Sequence, residues 1–411
     1  MSPPFSRRDL LIAAAGAGLT PGGPIGARAA DQPLRFAQRG PIKGIGVVAP
    51  IADWAAPFRG LTPRRTAALR EAGFNTLRVF ISLKAFMAAE DAGSGIDAAK
   101  VTARWIDYVR HGVDAGFRVL VSWESTFEER LALLDGGEAT ARFRRALAAV
   151  SRGLAEAFDP AAAALEVMNE PPEETRLAGL GLQSWTSTFA PLFVADIRNA
   201  APLLTVVVQS ETGGWSETIA SFDPAAFDNN TMFCFHFYKP GEFTHQGVKY
   251  PDFYGVPFPV ERYAGGKEAM QHAILARVAA DPGIGEAQKK ALSAQYRGVI
   301  DYLWWPDSPL GPKWVSWPKL DAWIAERRID PRRILCGEFG VVSNLNFNGS
   351  PGTDLASRAN YMRAVRQAVE SRGFGGWIAH QSFGDFNLFE QASISQCGDA
   401  LIAELVDALF R

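Results

Sequence analysis

The sequence predicts an α/β fold, a (β/α)8 TIM barrel with a long insertion between its sixth and seventh strands. Three observations predict it. Eight short runs of apolar and β-branched residues recur along the chain, helical patterns separate them, and two of the runs end in a glutamate. The strands are read at 42–48, 76–81, 118–123, 165–168, 204–209, 232–237, 334–338 and 376–380. The first helix, 62–72, opens on Thr62-Pro63, a cap followed by proline at the first helical position. Stretches 101–116, 139–158 and 357–371 space their apolar residues by three and four, as amphipathic helices do. The insertion, 239–332, carries Tyr302, Trp304, Trp305, Trp314, Trp317 and Trp323. These aromatics either line a cleft or pack a small core of the insertion itself.

The 411 residues suffice for one large domain or two ordinary ones. No repeat, low-complexity linker or hinge follows residue 31, so 31–411 reads as a single domain. The formal net charge of −2 gives no strong steering toward nucleic acid or an anionic membrane. Three cysteines, Cys234, Cys336 and Cys397, form neither a CxxC nor a Cys/His pattern, and their odd number argues against a disulfide framework. Residues 1–30 read as a leader. Ser6-Arg7-Arg8-Asp9-Leu10-Leu11 is a twin-arginine consensus, an apolar stretch follows over 10–19, and Ala27-Arg28-Ala29 offers a cleavage site. The expectation is export by the twin-arginine route to the periplasm or beyond. No later run is long and apolar enough to span a bilayer.

The chemistry sits at the predicted strand ends, which a barrel of parallel strands gathers on one rim. The fourth ends in Asn169-Glu170-Pro171 and the seventh in Gly337-Glu338-Phe339-Gly340. Cleavage of a glycosidic bond needs two carboxyl groups flanking one bond in different protonation states. Arg78 interrupts the apolar run of the second strand, so a buried guanidinium is expected, paired with a carboxylate in the barrel mouth. In the sixth strand, alternation places Cys234, His236 and Tyr238 on one side, where the histidine and tyrosine are set to orient a carboxylate. Gly337 and Gly340 allow close backbone approach around Glu338. Five histidines with no H-x-H or H-E-x-x-H pattern give no metal signature, and no cofactor is expected.

The set Arg78, Asn169-Glu170-Pro171, His236-x-Tyr238 and Gly337-Glu338-Phe339-Gly340 resembles glycoside hydrolase family 5, the cellulase-type retaining enzymes. The resemblance spans about 42–389. The stretch from Phe235 to Pro240, with Phe243-Thr244-His245-Gln246-Gly247 after it, is similar to bacterial members acting on β-glucans. It implies a retaining double displacement on an oligo- or polysaccharide, with Glu170 as general acid/base and Glu338 as nucleophile. It further implies that Asn169 binds the sugar 2-hydroxyl, that Arg78 and Tyr238 hold Glu338 ionised, and that His236 supports the acid/base.

Two positions depart from that pattern. Glu124 stands where members commonly end the third strand in histidine, and His380 aligns with the tryptophan platform usual near the end of the eighth. The departures place Glu124 and His380 beside the scissile bond, a carboxylate and an imidazole suited to a different sugar, linkage or cleavage mode; the alternative is that Glu124 pairs with a nearby arginine and Trp123 or Trp377 stacks on the sugar. The same scaffold also serves a mannanase, an exo-acting glucosidase, a transglycosylase or a non-catalytic glycan-binding barrel.

Overall fold

The computed structural model describes residues 33–47, 62–89, 97–305, 317–343, 352–393 and 396–411. The expected leader and Trp314 lie outside the described residues. Eight strands close into a barrel: β1 (Ile42–Val47), β2 (Thr76–Ser82), β3 (Arg118–Glu124), β4 (Ala163–Glu166), β5 (Thr205–Gln209), β6 (Thr231–Phe237), β7 (Ile334–Phe339) and β8 (Gly376–Ala379). Neighbours pair in parallel in chain order, and β1 closes on β8 with Ile42 opposite Gly376.

The helices stand where the spacing places them, at Pro63–Ala72, Ala98–Asp114, Glu138–Ala157 and Leu355–Ser371. Thr62 caps the first by accepting from the Arg65 backbone N–H at 3.2 Å. Strand β4 begins and ends two residues earlier than expected. Its first half is alanine, a residue depleted in strands, so the pattern there is silent.

Inside the barrel, Ile42, Leu120, Ala164, Val207, Met232, Cys234, Leu335 and Ile378 pack into one apolar cluster. Phe36, from the segment before β1, joins them at the floor, where its backbone N–H donates to Thr205 Oγ1 at 3.1 Å. Cys234 and Cys336 are free and buried. The opposite rim is thereby left as the open, polar end.

The insertion after β6 contributes helices Gly266–Ala280, Glu286–Leu303 and Pro318–Arg327. Its tryptophans divide. Trp317 packs edge-on against Phe235 and Phe237, and Trp323 against Phe233, so both are core on the outer face of β6. Trp304 Nε1 lies 3.3 Å from Met270 Sδ and ties two insertion helices together. Tyr302 and Trp305 remain exposed.

The seventh strand carries an irregularity that matters for the site. Phe235 pairs with Cys336 but His236 with Glu338, so Gly337 is an extra residue in a bulge. A β-carbon at Gly337 would overlap Cys234 Sγ, and one at Gly340 would overlap the carbonyl of His380. Gly337→Ala is therefore expected to lower stability by about 1–3 kcal/mol. Combining it with Cys234→Ala should cost less than the sum of the two changes, measured by chemical denaturation; strict additivity would show that the predicted contact is not the source of the loss.

Candidate active site

At the C-terminal ends of the strands lies an open cavity of about 800 Å3. Its lining draws Phe80 from β2, Glu124 from β3, Asn169 and Glu170 after β4, Trp215 after β5, Tyr238 after β6, Glu338 from β7 and His380 after β8. Glu338 and Glu170 meet here. The nearest side-chain oxygens of the two carboxyl groups and Nδ1 of His236 all lie within 4.8 Å of one another.

Beneath the carboxyl groups sits Arg78, fully buried. Its Nε and Nη2 donate to Glu166 Oε2 at 2.9 and 2.7 Å, its Nη1 pairs with Glu338 Oε1, and Nη2 also reaches Asn169 Oδ1 at 2.8 Å. Burial works against the guanidinium's charge, but Glu166 and Glu338 outweigh it and raise its pKa. Burial likewise pushes the Glu338 carboxyl up. The imidazoles of His236 and His380, Arg78 and the Tyr238 hydroxyl reverse that and hold it well below the usual carboxylate range. Tyr238 donates to Glu338 Oε2 at 2.8 Å. Burial and the Glu338 charge raise the phenol's own pKa, so it keeps its proton.

The proton on His236 can be placed from its partners. The Glu170 backbone N–H donates to Gln209 Oε1, which turns the Gln209 amide nitrogen toward His236 Nε2. Nε2 therefore accepts, and the ring's proton is on Nδ1. That Nδ1–H faces Glu170 Oε1 at 3.0 Å and Glu338 Oε2 at 3.5 Å. Glu170 itself stands in the left-handed region, at φ 47°.

Two trios have ligand-type atoms close enough for a cation among the described residues, Glu170/His236/Glu338 and Glu166/Cys234/His236. The chemistry of both is already committed. Arg78 occupies the carboxylates of Glu166 and Glu338, and both ring nitrogens of His236 are engaged, so a cation would have to displace a paired guanidinium.

Several expectations need correction. Trp123 and Trp377 are each only 1% exposed and do not line the cavity. The β pleat turns alternate residues outward: Trp123 packs against Phe86 and Phe143, and Trp377 against Phe74 and Phe339. Neither can stack on a sugar in the cavity. Arg78 and His236 also stay behind the lining and reach the carboxyl groups instead. Glu124, one position after Trp123, and His380, three after Trp377, fall on the other side of the pleat and do face the cavity.

The sequence reading missed Glu166, Gln209, Trp215 and Lys239. Glu166 interrupts an apolar run as Arg78 does, which was a usable signal, and Gln209 is the polar end of an otherwise apolar strand. Trp215, 47% exposed on the cavity wall, lies in a loop with no periodic pattern. Lys239 Nζ sits 4.3 Å over its ring and 2.7 Å from Glu217 Oε1.

Glu124 has a buried, unpartnered Oε2. Burial, and then the charge of Glu129, push its pKa from an ordinary 4.5 up to about 7. Between those values the folded protein keeps a proton that the unfolded chain releases, so stability is lost as pH rises through this window. Glu124→Gln should match the parent near pH 3.5 and melt at higher temperature than the parent at pH 8. A melting difference that does not change between the two pH values would refute this.

Comparisons with known proteins agree on the architecture. The sequence model of Cellulase, glycosyl hydrolase family 5, matches residues 39–279, which include Glu170 and end before β7. Cel5A of Thermotoga maritima, solved with cellobiose, aligns with a TM-score of 0.60 at 16% identity, over 91% of this chain and 100% of that one. The same enzyme solved with mannotriose gives 0.57 at 16%, over 91% and 100%. The cellulose synthase subunit Z of Clostridioides difficile gives 0.54 at 17%, over 90% and 100%. No curated protein matches the sequence.

Proposed function

The chain belongs to glycosyl hydrolase family 5, the cellulase family, and on that premise we propose that this glycoside hydrolase cleaves internal bonds of a β-linked glucan by retaining double displacement. The observation that carries the mechanism is the spacing of Glu170 and Glu338. Oxygens within 4.8 Å suit a nucleophile and an acid/base acting on one anomeric carbon. Inverting enzymes hold their carboxyl groups about 6.5–9.5 Å apart to admit a water.

In the first step Glu338, kept anionic by Arg78 and Tyr238, attacks the anomeric carbon. The bond to the leaving oxygen breaks, and Glu170 gives that oxygen its proton. The product is a glycosyl ester on Glu338 and a free sugar hydroxyl. In the second step a water attacks the same carbon, Glu170 takes its proton, and the Glu338 carboxylate leaves. His236 keeps Glu170 aimed through its Nδ1–H, and Asn169, oriented by Arg78, faces the cavity to meet the 2-hydroxyl. Trp215 lies beside Gly213 and Glu170 and offers a stacking face on the leaving-group side.

We propose that the cut is endo-acting on glucan. Endo action is supported by the open cavity and by the endoglucanases among the structural neighbours, one of them a hyperthermophilic endo-β-1,4-glucanase. We further propose that 31–411 acts as one catalytic unit, exported by the twin-arginine route after removal of the leader.

Glu338→Gln is expected to abolish turnover, and Glu170→Ala to slow it about 10²–10⁴-fold with partial rescue by azide. Proton NMR of the first product from a β-glucan should show the β-anomer. An α-anomer, or full turnover in either variant, rules out the assignment; single-sugar release from the outset rules out endo action.

A further inference from the structure

Resting on the reading of the cavity as a sugar site, we infer that His245 is a specificity-determining residue whose Nε2 lone pair accepts a hydrogen bond from one hydroxyl of the bound sugar.

The argument starts from a single hydroxyl proton. Thr244 Oγ1 lies 2.7 Å from the carbonyl of Tyr238, 3.3 Å from that of Pro240 and 2.9 Å from His245 Nδ1. A carbonyl can only accept, so the threonine's one proton goes to the backbone. Toward His245 the oxygen must then accept, which puts the imidazole proton on Nδ1. Burial first, and then the cations Lys249 and His380 would present, lower the ring's pKa to about 4, with Glu338 opposing. The ring is therefore neutral in ordinary conditions and Nε2 is a bare acceptor. Among the described residues nothing donates to it.

The ring is also fixed in place on the cavity wall. Tyr238 packs on it edge-to-face at 5.2 Å and Phe386 at 5.1 Å, and all three line the cavity. Tyr238 is the residue that donates to Glu338, so the acceptor stands one ring away from the nucleophile. A rigid acceptor held on the cavity wall discriminates, because a bound ligand without the matching donor leaves it unpaired. A sugar ring supplies such donors on every face. The loop after β6 holds this acceptor because Thr244 caps the turn Gly241–Thr244 back onto Tyr238.

The test compares kcat/KM for 4-nitrophenyl β-cellobioside and its monodeoxy analogues at each hydroxyl of the glycone pair. His245→Phe keeps an aromatic ring and removes the acceptor, and should lower kcat/KM on the parent substrate about 5- to 100-fold. In the parent enzyme one deoxy analogue should lose a similar factor, and in the variant that analogue should lose nothing further. His245→Gln, which restores an acceptor at similar reach, should recover part of the loss. Thr244→Val, which frees the ring to carry its proton on Nε2, should weaken the same hydroxyl's contribution.

A merely structural role for His245 lowers kcat/KM by one factor for every analogue, and that result overturns the inference. So does full activity of His245→Phe. If the parent enzyme leaves the glucosides intact, the glucan reading falls. The same ratios are then read on β-mannosides, where they still decide whether His245 reads a hydroxyl.

Discussion

The site depends on one buried guanidinium. Arg78 has no exposed surface and stands between Glu166 on β4 and Glu338 on β7, so three strands meet through a single side chain. A charge taken out of water is tolerated only when paired and hydrogen-bonded, and its donors are directed at Glu166, Glu338, Asn169 and Ser122. Removing the guanidinium would leave two buried carboxylates uncompensated in the barrel, a loss of about 3–5 kcal/mol for such pairs. The same contact sets the chemistry. With His236, His380 and Tyr238 it keeps Glu338 ionised against burial, and it orients the Asn169 side chain, so the stability of the rim and the charge of Glu338 have a common origin.

Around that anchor the protons are distributed by geometry. The Glu170 backbone fixes the Gln209 amide, the amide fixes the His236 tautomer, and the tautomer points a donor between the two glutamates. Each step follows from a group that can only donate or only accept. A second chain of the same type runs from the Tyr238 carbonyl through Thr244 to His245. The two chains meet at the end of β6, where His236 faces both glutamates and Tyr238, just after the strand, donates to Glu338.

What the sequence made legible follows from periodicity. Strands, helices and the inward residues Arg78, His236 and Tyr238 were readable because polar residues interrupt apolar runs at a fixed alternation, and Glu338 because a lone charge ends an apolar run. The start of β4 was not, because alanine carries little strand preference. Trp123 and Trp377 were misplaced by chemistry that looked right: tryptophan suits a sugar, but each sits on the outward side of its pleat, while Glu124 and His380 take the inward side. Further aromatic surface reaches the cavity from Trp215 in the loop after β5 and Tyr302 at the end of an insertion helix. A loop's direction is set by tertiary contacts, and those are not written in local spacing.

The distance between the carboxyl groups rests on two departures from regular backbone. Strict alternation along β7 would send Glu338 outward after an inward position 337; the bulge at Gly337 makes two successive residues face the interior. Gly337 fits there only because it brings no β-carbon toward Cys234. On the other side, Glu170 adopts φ 47°, a conformation that glycine would take without cost. Glycine has no carboxyl group to offer, so local preference and chemistry conflict at this residue. The conflict is held by the Glu170 N–H bond to Gln209 and by the His236 contact, which together over-determine the position. A residue kept in an unfavoured conformation by two inward-facing partners is where propensity and structure are expected to disagree, and here it is the residue proposed as the general acid/base.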